Sequence, residues 1–179
     1  METNILYTHK SLVEKSKLGD RNAQYKLYEL YVDAMYNISM RMMHIKEDAE
    51  DVVQDSFIEA FNNLSSFRYE STFGSWLKRI VINKSINQLK KKKIPVVPIE
   101  NQMYHIKEDT EDVPPDIDIK NIIKGIRLLP SGYQKIINLY LIEGYDHIEI
   151  SEILEISPST SKSQYHRAKK KLIEIVKTL

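Results

Sequence analysis

Three groups of polar side chains have the types and spacing needed to bind another macromolecule. The first follows Ser157-Pro158 and consists of short polar or cationic side chains: Ser159, Thr160, Lys162, Ser163, Gln164, His166, Arg167 and Lys170. Such side chains can approach phosphates and base edges without steric conflict. The group predicts contact with nucleic acid, and a generic polar helix face is the alternative.

The second group combines aromatic rings with cations and amides. Its members are Phe67, Arg68, Tyr69, Ser71, Thr72, Trp76, Arg79, Asn83, Lys84, Asn87 and Lys90. Rings can stack on unstacked bases, while Arg and Asn neutralise phosphates or read bases. The alternative is a place for the rings in the hydrophobic core. We expect this of Phe73 and part of Trp76, and less of the Phe67-Arg68-Tyr69 tip.

The third group is a stripe of carboxylates and an amide beside an apolar residue. It comprises Asp48, Asp51, Gln54, Asp55 and Ile58, at spacings of three and four that share one helix face. Such a stripe can dock on a basic helix of another protein, or it can be solvated surface. Metal binding is disfavoured, because one rigid helix without His cannot wrap a cation.

Residues for catalysis are not arranged in any recognisable constellation. The five His are scattered along the chain, Cys is absent, and no GxxxxGK[ST] loop for ATP occurs. A nucleic-acid enzyme would need metal carboxylates or a nucleophile with its base. We therefore expect a protein that is not an enzyme and has no cofactor and no metal site.

Helices are the elements that would position these groups. Apolar periodicity predicts helices over 21–43, 46–64 and 73–91, another starting near Ile119 and stopping at Leu129-Pro130, and one over 134–143 closed by Gly144. Asp146 and Glu149 have the spacing of a capping box, and Ser157-Pro158 is a helix start. The last two helices therefore form a helix-turn-helix, whose second helix enters the major groove.

The fold class that follows is all-α, with two small helical domains joined by a flexible acidic linker. The domains are predicted over 1–93 and 119–179, and the second contains the helix-turn-helix. The linker, 94–118, contains four Pro and is almost wholly negative, whereas both flanking segments are basic. No apolar run is long enough to span a bilayer and no signal peptide is evident, so we expect a cytoplasmic protein without membrane insertion.

Several segments together resemble the extracytoplasmic-function class of bacterial sigma factors, in the sigma-70 family. They are EDAEDVVQDSF at 47–57, FRYESTF at 67–73, WLKRI at 76–80, YLIEGY at 140–145 and TSKS at 160–163. The order and spacing of these segments, more than any one of them, make the resemblance specific. It covers nearly the whole chain except the linker and about the first ten residues.

The resemblance implies a partner for each group. The third group would bind the clamp helices of the polymerase β′ subunit, and the second would recognise and help to melt the −10 promoter element. The first would read the −35 element, with its domain contacting the β flap. An anti-sigma factor is a further implied partner. Ser161, Gln164, Asn87 and Lys90 depart from the residues common in the family, which affects the promoter sequence more than the fold.

Two other classes of protein remain open at this point. A free-standing helix-turn-helix regulator would bind an operator without polymerase, usually as a dimer. A pure protein-interaction module would use the third group alone. A run-off transcription assay with core polymerase separates these classes from a sigma factor.

Overall fold

Two compact helical units make up the chain, spanning residues 1–94 and 95–179. The structure is a computed structural model and describes residues 8–92 and 118–179. All regular elements in these two ranges are helical, which confirms the predicted all-α class with two helical domains. The predicted linker over 94–118 lies outside the described residues, apart from Asp118.

Within residues 8–92, the first unit contains four α-helices. They are α1 (Lys10–Lys17), α2 (Arg21–Met43), α3 (Lys46–Asn62) and α4 (Phe73–Lys91). Helix α2 starts where predicted because the Asp20 side chain accepts hydrogen bonds from the backbone N–H groups of Asn22 and Ala23. Helix α3 ends two residues earlier than predicted, since the chain tightens into a 3-10 turn over Leu64–Ser66.

The core of the first unit lies where α2, α3 and α4 pack on one another. Leu27, Phe73 and Leu77 are among its fully buried side chains. Tyr25 on α2, although aromatic, is 61% exposed. Leu27 lies two residues further along, about 200° around the helix, and is buried in its place.

Four α-helices are likewise found in the described part of the second unit, residues 118–179. They are α5 (Ile119–Leu128), α6 (Ser131–Ile137), α7 (His147–Leu154) and α8 (Pro158–Val176). Helix α6 begins three residues before the predicted Gln134, and it continues as a π-helical turn over Asn138–Ile142. The Gln134 side chain donates hydrogen bonds to two carbonyls at the end of α5 and so ties the two helices together. Gly144, at φ 76°, follows the turn as predicted.

The start of α7 has the capping box that the sequence predicts. A carboxylate oxygen of Asp146 accepts from the backbone N–H groups of Ile148 and Glu149 at 2.7 and 2.8 Å. The Glu149 carboxylate accepts from the Asp146 N–H at 2.9 Å. The short α7 therefore begins with its first backbone donors satisfied.

Asp146→Ala is expected to destabilise the second unit by about 1 kcal/mol, since two N–H groups lose their acceptor. The measurement is thermal unfolding by far-ultraviolet circular dichroism. The only Trp of the chain is Trp76, so its fluorescence reports the first unit and serves as an internal control. Asp146→Ser keeps a capping oxygen and should unfold nearly as wild type. Equal midpoints for the Ala variant and wild type would contradict the role of the cap.

Candidate nucleic-acid and protein interfaces

The outer face of α8 has the cationic and polar character predicted for the first group. Ser159, Lys162, His166 and Lys170 are exposed, and the other four members are half-buried. Ser161, Ala168 and Leu172 are buried on the opposite side of the helix. Ser157 caps the helix by accepting from the Thr160 N–H at 3.0 Å.

Hydroxyl groups in the first turns of α8 are largely engaged within the helix. The Ser157 hydroxyl lies 2.8 Å from that of Ser159 and 2.7 Å from that of Thr160. Ser163 donates to the Thr160 carbonyl at 3.0 Å. The cationic side chains of this face, such as Lys162, are therefore the groups that extend furthest towards a phosphate backbone.

A buried polar contact holds the start of α8 against the start of α7. The Ser161 hydroxyl is fully buried and lies 2.9 Å from Nδ1 of His147. The His147 ring stacks on Tyr140, with centroids 4.6 Å apart, and meets Tyr165 edge-on at 5.7 Å. Sequence reasoning noted the unusual Ser161 but missed His147, because nothing in the sequence pairs two residues fourteen positions apart.

The surroundings of His147 predict that the second unit loses stability in acid. Burial, and then the charge of Lys162, lower the pKa of His147 below its ordinary 6.5, with Asp146 opposing them. The unfolded chain therefore binds a proton more readily than the folded chain, and stability declines as pH falls below about 6.5. We expect the unfolding midpoint to drop between pH 7.5 and 5.5 by more in wild type than in His147→Phe, measured by circular dichroism. Equal drops in the two proteins would contradict this assignment.

The second group divides between a helix face and a loop. On α4, Trp76, Arg79, Asn83, Asn87 and Lys90 follow spacings of three and four, so they share one face. All of them are exposed except Trp76, which is half-buried. Lys84 does not belong to this face, although the sequence prediction included it. Its ammonium lies 3.0 Å from Glu59 and 3.9 Å from Asp55, both on α3, because one residue beyond Asn83 is about 100° around the helix.

The loop before α4, residues 67–72, is built on Phe67. Phe67 is 3% exposed and packs on Phe73 and Trp76, with ring centroids 5.9 and 5.3 Å away. The expectation that Phe67 lies at an exposed tip is therefore wrong, since neighbouring rings from α4 cover it. Arg68 is exposed, while Tyr69, Ser71 and Thr72 are half-buried. Thr72 caps α4 by accepting from the backbone N–H of Ser75 at 3.0 Å.

The stripe of the third group lies along the side of α3 that faces away from the core. Asp51, Gln54 and Asp55 are exposed, and Ile58 is 59% exposed beside them. Asp48 differs from the others. Its side chain is 14% exposed and forms an ion pair of 2.5 Å with Lys92, just beyond α4. Asp48 thus helps to hold α3 against α4, and the open face starts at Asp51.

Neither a metal centre nor a membrane anchor emerges from the described part of the chain. Within residues 8–92 and 118–179, no group of three or more His, Cys, Asp or Glu could hold a metal ion. Across the same ranges, no helix is both long and apolar enough to cross a bilayer.

Comparison with known sequences assigns both units. Residues 27–94 match the family description "Sigma-70 region 2", and residues 119–172 match "Sigma-70, region 4". The chain belongs to the sigma-70 family. It is an extracytoplasmic-function sigma factor, a protein that binds core RNA polymerase and directs it to promoters. The matches leave out α1, which precedes residue 27.

Relatives of similar length support the same class. The sigma factor SigW of Bacillus subtilis is 31% identical over 175 residues, covering 91% of this chain and 94% of that protein. The sigma factor SigM of Mycobacterium tuberculosis is 27% identical over 159 residues, covering 88% and 79%. The similarity therefore spans both units.

Two solved structures share the fold. CnrH, in complex with the cytosolic domain of CnrY, has a TM-score of 0.56 at 20% identity, covering 93% of this chain and 96% of that one. The sigma factor RpoE of Bartonella quintana, in complex with the anti-sigma factor NepR, has a TM-score of 0.58 at 22% identity, covering 86% and 96%. These likenesses concern the fold.

Proposed function

We propose that the three faces of this sigma factor each bind a separate target during promoter recognition. The α3 face of Asp51, Gln54, Asp55 and Ile58 docks on the clamp helices of the polymerase β′ subunit. The loop 67–72 and the outer face of α4 recognise and open the −10 element. The outer face of α8 reads the −35 element, while its unit contacts the β flap.

The observation that carries this proposal is that two helices of the first unit expose different kinds of side chain. Helices α3 and α4 pack together, yet the α3 stripe and the α4 face expose different chemistry: carboxylates on one, and amides and cations on the other. A protein partner with basic side chains suits the first, and DNA suits the second. Because α3 and α4 pack together in one compact unit, docking on polymerase would fix where the α4 face meets the promoter.

Three residues that the sequence assigned to the binding faces have structural roles instead. Lys84 and Asp48 each join α3 to α4 through ion pairs, so we assign both of them to holding the unit together. Phe67 supports the loop from beneath, and we assign the contact with a base to Arg68 and Tyr69. The DNA face of α4 then runs from Trp76 to Lys90.

Opening of the promoter would be driven by binding. Unstacking a base costs a few kcal/mol, which capture of that base and of the exposed strand can offset. The salt-sensitive phosphate contacts of the two DNA faces are individually weak. Attachment of both units to polymerase raises the effective concentration of each at its promoter element. We assign no catalytic step to the sigma factor itself, and its place of action is that of the polymerase, the cytoplasm.

An anti-sigma factor is a further partner that we propose. Its support is that RpoE of Bartonella quintana, which shares this fold, was solved in complex with the anti-sigma factor NepR. CnrH, which also shares the fold, was solved with the cytosolic domain of CnrY. A bound inhibitor would compete with polymerase for this sigma factor, so its addition should lower run-off transcription and excess core polymerase should restore it.

Site-specific crosslinking tests the three assignments in one assembled complex. A photoreactive residue replaces Gln54, Asn87 or Ser163 in turn, and each variant is assembled with core polymerase and a promoter fragment that supports run-off transcription. We expect Gln54 to crosslink to β′, Asn87 to DNA near −10, and Ser163 to DNA near −35. The same probe at Glu29, exposed on α2, is the background control. DNA crosslinks from Gln54, or exchanged positions for Asn87 and Ser163, would overturn the assignments.

A further inference from the structure

Helix α1 contacts the loop 67–72 through charged and hydrogen-bonded side chains. The Lys17 ammonium donates a hydrogen bond to the Phe67 carbonyl at 3.0 Å. The same ammonium forms an ion pair with Glu14 at 3.1 Å. The Glu14 carboxylate in turn accepts from the Tyr69 hydroxyl at 2.6 Å. Two residues of α1 thus engage the backbone and a side chain of the loop, about fifty positions away in sequence.

The loop conformation gives these contacts a specific task. Tyr69 has φ 61°, in the left-handed region that a tyrosine rarely adopts. Such a conformation is unfavourable by itself and persists only where surrounding contacts hold it. Lys17 also lies over the Tyr69 ring, 4.8 Å from its centroid, and so contacts the strained residue at its ring while Glu14 holds its hydroxyl.

At neutral pH, the charge states of Lys17 and Glu14 favour the hydrogen bonds that they form with each other and with the loop. The hydrogen bond from Tyr69, followed by that from Lys17, lowers the pKa of Glu14 below its ordinary value. Glu14 is therefore an anion, which is the better acceptor for both donors. Lys17 is only 20% exposed as a side chain, so water competes less with its bonds than at an open lysine.

We infer that Lys17 and Glu14 are positioning residues for promoter opening, holding Arg68 and Tyr69 in the conformation that captures an unstacked base. The inference rests on the proposed function of the loop as the −10 contact. Helix α1 lies outside the residues matched to Sigma-70 region 2, which begin at residue 27. It would act as a brace that sets the loop before DNA arrives, and a preset loop loses less conformational entropy when it binds.

Two substitutions separate bracing from direct electrostatic attraction to DNA. Lys17→Met removes a cation and Glu14→Gln removes an anion, so simple attraction predicts weaker opening by the first and stronger opening by the second. The brace predicts weaker opening by both, by about five- to tenfold, since each loses a charge-assisted hydrogen bond. The double variant should be no worse than the poorer single variant, because the two residues act as one unit.

The assay uses assembled holoenzyme and a promoter fragment that supports run-off transcription. The reactivity of unpaired thymines with permanganate measures how far the promoter is open. A second template has the −10 region already unpaired and requires no unstacking, so the deficits should shrink on it. A variant that was merely misfolded would be deficient on both templates. Lys15→Met, one exposed cation removed from the same turn of α1, is the matched control and should open the duplex as wild type does.

Arg68→Ala distinguishes failure of this inference from failure of the proposed function. If Arg68→Ala opens the promoter poorly while Glu14→Gln opens it as well as or better than wild type, the brace is wrong and the loop assignment stands. A Lys15→Met deficit equal to that of Lys17→Met also overturns the brace. Normal opening by Arg68→Ala overturns the loop assignment, and the inference falls with it.

Discussion

Replacing Asp51 and Gln54 together with Ala should weaken binding to core polymerase by about ten- to a hundredfold, the loss expected for truncating charge-assisted hydrogen bonds at an interface. Both side chains are exposed on α3, so the fold should be unaffected. Fluorescence anisotropy of labelled sigma factor titrated with core polymerase gives the dissociation constant. Unfolding followed by Trp76 fluorescence checks the first unit.

A matched control for this double variant lies on the neighbouring helix. Asp33 and Asn37 are an exposed carboxylate and an exposed amide on α2, and their double Ala variant should bind core polymerase as wild type does. Asp48→Ala is informative in a different way. Its loss breaks the ion pair with Lys92, so its effect should appear first in unfolding of the unit. Unchanged affinity of the Asp51 and Gln54 variant would show that polymerase docks elsewhere.

The second large effect concerns the salt dependence of promoter binding. Replacing Lys162 and Arg167 with Ala should reduce holoenzyme binding to promoter DNA and lower the slope of log K against log salt concentration by about 1.8, the value for two lost phosphate contacts. Filter binding or anisotropy over a range of salt concentrations measures the slope. A weaker affinity with the original slope would mean that these cations act within the protein.

Two lysines of α5 provide the control for charge alone. Lys120 and Lys124 are exposed in the same unit. Helix α5 packs against the carboxyl-terminal half of α8, near Leu172 and Val176. Their double Ala variant removes the same net charge away from the start of α8. We expect its salt slope to equal that of wild type. An equal decrease in both variants would count against α8 as the reader of the upstream element.

Features encoded within a few residues could be predicted from the sequence. The Asp20 cap, the Asp146 capping box and the Ser157-Pro158 start each depend on neighbours one to three positions away, so the type and spacing of the residues suffice. The bounds of α4 were also predicted correctly from residues close together in the sequence. Turns at helix ends were less accessible: α3 stops before Leu64 because the following residues tighten into a 3-10 turn, which no spacing rule distinguished.

Features that depend on a distant partner could not be predicted. The spacing of Asp48 placed it with the docking stripe, and its ion pair with Lys92, forty-four positions away, became visible only once α3 and α4 were packed. Lys84 was grouped with Asn83 by charge, although the helix turns it towards α3. Phe67 was expected outside the core because an aromatic ring beside Arg68 could stack on an unstacked base. In each case the residue type was informative, and its neighbours decided what it does.

The buried contact between His147 and Ser161 limits how freely the recognition helix can be exchanged between sigma factors. A chimera that imports α8 with an aliphatic residue at 161 would leave Nδ1 of His147 facing a methyl group, and a polar group that loses its partner on burial is costly. The transferable cassette for engineering new promoter specificity is therefore α8 together with residue 147. A designer who moves the helix alone would measure a folding defect and mistake it for a loss of DNA recognition.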